Sequence, residues 1–98
     1  MCGIAGVVNC SGVTEQDVER MVATIRYRGP DEAGVERVGN SIVGHARLAV
    51  VDPENGKQPM SNTDGNVWVV FNGEIYNYVE IREDLKRKGY RFKSRCDT

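Results

Sequence analysis

The dipeptide Gly39-Asn40 separates two runs of strand-forming residues, 33–38 and 41–48, and so predicts an antiparallel hairpin early in the chain. What flanks the hairpin limits the fold further. Residues 4–8 form a short apolar run closed by Asn9-Cys10-Ser11-Gly12, the pattern of a buried strand ending in a turn. Thr14-Glu15-Gln16-Asp17 resembles a capping box, and Val18, Met21, Val22 and Ile25 then recur at helical spacing. That helix must stop before Gly29-Pro30, because proline disfavours helical geometry in the residue preceding it.

Beyond the hairpin, residues 52–64 are rich in Pro, Asn, Gly and Asp and are expected to form an exposed connection. Residues 67–71 are five β-favouring residues without a polar interruption, which predicts the clearest strand of the chain, covered on both faces. A second helix is expected from near Asn77 to Gly89, with Tyr78, Ile81 and Leu85 inward and Glu83/Arg87 and Asp84/Lys88 paired outside. The charge run 82–88 is then a solvated helix face, and 90–93 returns to strand. Strand, helix, two strands, strand, helix, strand is an α+β order, not a run of βαβ units. The last residues follow a strand with no closing element, so the sheet is expected to lack partners.

Composition excludes several classes. Thirteen Lys+Arg against fourteen Asp+Glu give a net charge of −1 over 98 residues, which offers nucleic acid or an anionic membrane no attraction. No apolar run approaches the roughly 20 residues of a membrane span, and the opening MCGIAGVVN lacks the features of a signal peptide. A cytoplasmic protein is expected. Three cysteines (Cys2, Cys10, Cys96) without paired C-x-x-C spacing suit neither a disulfide framework nor a metal site, and no metal ligand is assigned.

The chemistry rests on a few residues. Cys2 becomes the first residue if Met1 is removed. Its thiol would then lie beside a free α-amine, which titrates near pH ~7.7–8.0 and can act as its base. The alternative is a small apolar residue at a frayed end. Asn72-Gly73 ends the most buried-looking strand, where a side-chain amide and a backbone N–H could face an oxyanion; taken alone, the dipeptide is more commonly an ordinary turn. Arg47, near the end of its strand, could hold a carboxylate in two-pronged fashion or simply face solvent. His45 points to the same side of that strand, but the amine already supplies a base and a lone strand histidine is usually structural. Glu74 and Asp97 are carboxylates at strand ends that could pair with an ammonium group.

Taken in order, CGIAGV at 2–7, RGPDEAG at 28–34, GHARL at 44–48, QPM at 58–60, NGEIYN at 72–77 and CDT at 96–98 are far more specific than any one of them. This combination resembles the glutaminase domain of class II glutamine amidotransferases, which are N-terminal-nucleophile hydrolases. Within that class it is most similar to the glutamine-hydrolysing asparagine synthetases. The resemblance implies stacked antiparallel sheets between helical layers, of which residues 1–98 supply about the first half, with the synthetase domain absent. It implies that Cys2 attacks the glutamine amide and that Asn72 and Gly73 stabilise the oxyanion. By the same likeness Arg47 holds the α-carboxylate, Glu74 and Asp97 the α-ammonium, and Leu48, Ala49, Val50 and Val51 line the pocket. Residues 28–31 would form a loop shielding the nucleophile, and Cys96 stands where many members carry serine. The ammonia would pass to an acceptor such as an adenylated aspartate; a sugar acceptor, or a catalytically idle fragment, is the alternative. No cofactor is implied for this segment; ATP and Mg would belong to the missing synthetase domain. Glutamine is the expected partner, without nucleic acid or membrane, and a homodimer could form through the complete protein.

Overall fold

The computed structural model describes residues 1–98. Strand β1 (Gly3–Val8) leads into helix α1 (Glu15–Thr24) and a single 3₁₀ turn at Arg26–Arg28. Strands β2 (Glu32–Val38) and β3 (Ser41–Arg47) follow, then the two-residue strands β4 (Met60–Ser61) and β5 (Trp68–Val69), then helix α2 (Tyr78–Arg87). The larger sheet is antiparallel in the order β1-β3-β2, and β4 and β5 pair separately. This is an α+β architecture with antiparallel sheets and two helices.

The expected hairpin is present: Val38 pairs with Ser41, and Gly39 takes the positive φ of 58° that closes the turn. Helix α1 begins as its sequence predicts. Thr14 Oγ1 accepts the Asp17 N–H at 3.3 Å, and Asp17 Oδ2 accepts the Thr14 N–H at 2.8 Å, so the two residues satisfy one another's orphan donors. Val18 and Val22 then pack on Ile42 and Ala46 of β3 to make the core. Gly44 lies directly beneath the helix, where a Cβ would come within 2.5 Å of Val22 Cγ2. Its missing side chain is what lets α1 sit this close to the sheet.

Four expectations differ from the structure. Only Trp68 and Val69 of 67–71 form a strand, and Val67 and Val69 are exposed rather than covered on both faces. Extending the β4–β5 register brings Pro59 opposite Val70, and proline has no N–H for the ladder. One residue further, both main-chain groups of Phe71 bond to side chains instead. Residues 90–93 run beside β4 without strand pairing, tied by Lys93 Nζ to Ser61 Oγ and the Asn62 carbonyl. The 52–64 connection is not wholly exposed, since Gly56 and Gln58 are buried. On α2 the outer pairs are Glu83–Lys86, Asp84–Arg87 and Asp84–Lys88, and no residue of that helix is fully buried.

Only 12 of the 98 residues are buried, and the radius of gyration is 14.2 Å, above the roughly 13 Å of a compact 100-residue domain. Ile4 and Val8, on the sheet face away from α1, are 52% and 71% exposed. Such open apolar surface favours self-association over a stable monomer. The isolated chain is expected to unfold in a broad transition whose midpoint moves with protein concentration. A sharp transition independent of concentration, followed by circular dichroism, would contradict this.

Candidate functional site

The β1–β3 register, continued one step past Gly3↔Ala46, sets Cys2 at the level of Arg47. The Cys2 sulfur turns onto the end of β3, accepting the Leu48 N–H at 3.3 Å with the Leu48 carbonyl at 3.7 Å. Arg28 Nε–H donates to the Cys2 carbonyl at 3.1 Å. Asp31 accepts the Ala49 N–H through Oδ2 at 2.8 Å, and its own N–H donates to the Arg47 carbonyl at 3.0 Å. Between them Gly29 lies flat on β3, where any Cβ would fall on the Ala46 carbonyl and the Arg47 nitrogen. The 28–31 loop is thus bonded both to the Cys2 main chain and to the end of β3 on which the Cys2 sulfur rests. Met1 is 74% exposed and open to removal.

One cavity collects most of the singled-out residues. Cys2, Arg47, Leu48, Val50, Val51, Gly73, Glu74 and Asp97 all line it, together with Gln58, Phe71 and Cys96. It holds about 50 Å³ as it stands, room for little more than one water, so a bound amino acid would have to widen it. Ala49 is outside the lining, its N–H committed to Asp31. Asn72 is also outside, exposed on the turn preceding Gly73.

The Glu74 and Asp97 carboxylates both line the cavity. Hydrogen bonding to Asp97, and then its negative charge, hold the Glu74 carboxyl above the ordinary range. Asp97 is fixed by the Ile75 N–H, which donates to Oδ2 at 2.9 Å. Two carboxylates held together without a counter-ion suit a cation.

Arg47 is used differently from expectation. It is 5% exposed, and its terminal nitrogens donate to the carbonyls of Val51, Asp52 and Pro53 at 2.8–3.2 Å and to Glu32 Oε2 at 3.3 Å. The guanidinium therefore organises the 51–53 loop, and only Nε–H lacks a protein acceptor. A two-pronged grip on a carboxylate requires the loop to release it. His45 is fully buried; its Nε2–H donates to the Phe71 carbonyl at 3.1 Å and Nδ1 has no partner. Burial is the main reason its imidazole is held below its usual basicity, in keeping with a structural role.

Sequence reasoning passed over Gln58 except as part of a motif. Its side chain bonds the Phe71 N–H at 2.6 Å and the Thr98 hydroxyl at 3.2 Å. A buried glutamine between proline and a charged loop carries no periodic signal. Asp52 was missed too: at φ 48° it accepts the Arg95 N–H at 2.7 Å, tying the Arg47 loop to the segment that bears Asp97. No group of three or more His, Cys, Asp or Glu that could hold a metal ion occurs. No helix is long and apolar enough to cross a membrane.

Cys2, Gly73 and the Glu74 and Asp97 carboxylates thus meet at one cavity. The chain belongs to the glutamine amidotransferase domain family, whose model matches residues 1–98. It is 44% identical over 106 aligned positions to asparagine synthetase [glutamine-hydrolyzing] 1 of Bacillus subtilis (strain 168), covering 100% of this chain and 16% of that protein. It is also 41% identical over 100 positions to the proteins of that name from Lotus japonicus and Arabidopsis thaliana, covering 99% of this chain and 17% of each. The chain thus spans about a sixth of the length of these relatives.

Proposed function

We propose that residues 1–98 are the first part of a glutaminase domain that releases ammonia from glutamine for an ATP-dependent synthetase domain, as in asparagine synthesis. The observation that carries this reading is the meeting of Cys2, Gly73 and the Glu74–Asp97 pair in one cavity, in a chain matched over its whole length by the amidotransferase family. The fold that belongs with it is the N-terminal-nucleophile hydrolase sandwich. A cytoplasmic location and a homodimer of the complete protein are part of the same reading.

With Met1 removed, the Cys2 α-amine takes the thiol proton as sulfur attacks the side-chain carbonyl of glutamine. The Asn72 amide and the Gly73 N–H receive the resulting oxyanion. Collapse breaks the C–N bond, and the ammonium returns the proton to the leaving nitrogen, which departs as ammonia. Water, deprotonated by the same amine, then cleaves the thioester and frees glutamate. Glu74 and Asp97 hold the substrate ammonium. Arg47 takes its carboxylate once the 51–53 loop has moved aside, a motion that also widens the cavity, with Leu48, Ala49, Val50 and Val51 bordering the substrate. Amide-¹⁵N glutamine tests the reading: labelled ammonia and glutamate are expected in equal amounts. A folded chain that has lost Met1 and yet releases neither contradicts it.

The carboxylate pair gives a pH dependence. As pH falls through the raised Glu74 value, the pair gains a proton and drops from two negative charges to one. KM for glutamine is therefore expected to rise on acidification, starting above the ~4.3 of an ordinary glutamate, and Glu74→Gln should remove that limb. A KM that stays flat to about pH 4.3 would count against it. For folding the sign is opposite to that of an ion pair. Protonated Glu74 suits the fold at low pH, and repulsion grows as pH rises until a cation sits between the carboxylates.

A further inference from the structure

We propose that Gln58 is a positioning residue for the oxyanion turn: together with His45 it clamps the Phe71 main chain, in the wall of the cavity, so that the Asn72-Gly73 turn is held at the cavity that Cys2 lines. The inference rests on the glutaminase reading and deepens it.

Both hydrogen-bonding groups of Phe71 are held by buried side chains. Gln58 Oε1 accepts the Phe71 N–H at 2.6 Å, and His45 Nε2–H donates to the Phe71 carbonyl at 3.1 Å. A carbonyl can only accept, so the proton is on Nε2 and the His45 tautomer is set. These bonds fix the two peptide planes on either side of Phe71, the second of which carries the Asn72 nitrogen. The Phe71 ring folds beneath Gly73, whose Cβ, if it had one, would lie 2.6 Å from the ring. The chain therefore enters the Asn-Gly turn in one direction.

The clamp itself is anchored to the sheet that holds the nucleophile. His45 belongs to β3, whose end grips the Cys2 sulfur through Leu48. Gln58 is 8% exposed, and its main-chain carbonyl presses on Gly34 of β2. Its amide Nε2 donates to the Thr98 hydroxyl, beside Asp97. Thiol and oxyanion turn are thus tied to one sheet, although Cys2 and Gly73 are far apart in the chain. Transition-state donors act only when held in place beforehand, so a loose Phe71 lowers the rate of the chemical step more than the affinity for glutamine.

Gln58→Met keeps the length and apolar stem but removes the acceptor; Gln58→Glu restores one. In the 98-residue chain, Gln58→Met is expected to lower kcat for glutamine hydrolysis roughly tenfold or more, with a smaller change in KM. Gln58→Glu should recover most of the loss. Alkylation of Cys2 by iodoacetamide, mapped by peptide mass, forms no oxyanion and should keep its rate in Gln58→Met. Slow alkylation of the buried Cys96 shows that the variant remains folded. Equal loss of kcat and of Cys2 alkylation, or no recovery in Gln58→Glu, would overturn the proposal. Folded parent protein that has lost Met1 and releases no ammonia defeats the glutaminase reading separately. The clamp is still decided by NMR: Phe71 amide exchange should speed up at least tenfold in Gln58→Met with a shift of the Gly73 amide signal, and unchanged exchange refutes it whether or not the chain is active.

Discussion

Cys2→Ala is expected to lower glutamine hydrolysis at least about a thousandfold while leaving the unfolding transition of the chain where it was. The size follows from the chemistry: Cys10 is exposed at the far end of β1, and Cys96, although it lines the same cavity, is buried with its sulfur 2.9 Å from Ser94 Oγ and has no α-amine beside it to take its proton. The neutral effect on folding follows from the packing. The Cys2 sulfur contributes two long contacts, both to the Leu48 main chain, whereas the Cys2 carbonyl that binds Arg28 is kept in the variant. Ammonia release by Cys2→Ala at the parental rate would remove Cys2 from the mechanism. A collapsed unfolding transition would show instead that the thiol is structural.

The second large effect is on stability. Arg47→Met strips a buried guanidinium from three loop carbonyls and from Glu32, at an expected cost of about 3 kcal/mol, because the partners left behind are no longer satisfied. The loss should be concentrated in the loop. The Gly56 N–H, which donates to the Asp52 carbonyl at 3.0 Å, is expected to exchange as fast as a free amide. Arg47→Lys keeps the charge but not the planar fork and should fall between parent and Arg47→Met. Urea unfolding at one protein concentration, with amide exchange at Gly56, checks both. Two variants as stable as the parent would mean that the 51–53 loop is held by something other than Arg47.

The parts of the fold visible in the sequence are those with local causes. Gly39-Asn40 and the Thr14–Asp17 box act within a few residues, and both behave as their chemistry predicts. The 67–71 run has a strand's composition, but its pairing depends on Pro59 and Gln58 opposite, which no window around Val67 contains. The site divides the same way. Cys2, Gly73, Glu74 and Asp97 were named from motifs and the cavity unites them. Asn72 and Ala49 stand just outside its lining. The occupation of Arg47 by the carbonyls of Val51, Asp52 and Pro53 leaves no trace in the sequence, because that loop has no regular pattern. Gln58 was invisible as an individual because its importance comes from burial against Gly34 and from two partners 13 and 40 residues away.

The most direct test is the intact mass of the chain before and after exposure to an electrophilic glutamine analogue, with peptide mapping and Cys2→Ala as control. Loss of Met1 and a single adduct on Cys2, absent from the control, is the predicted result. An adduct spread over Cys10 and Cys96, or none on a folded chain lacking Met1, would contradict Cys2 as the nucleophile of a glutamine site.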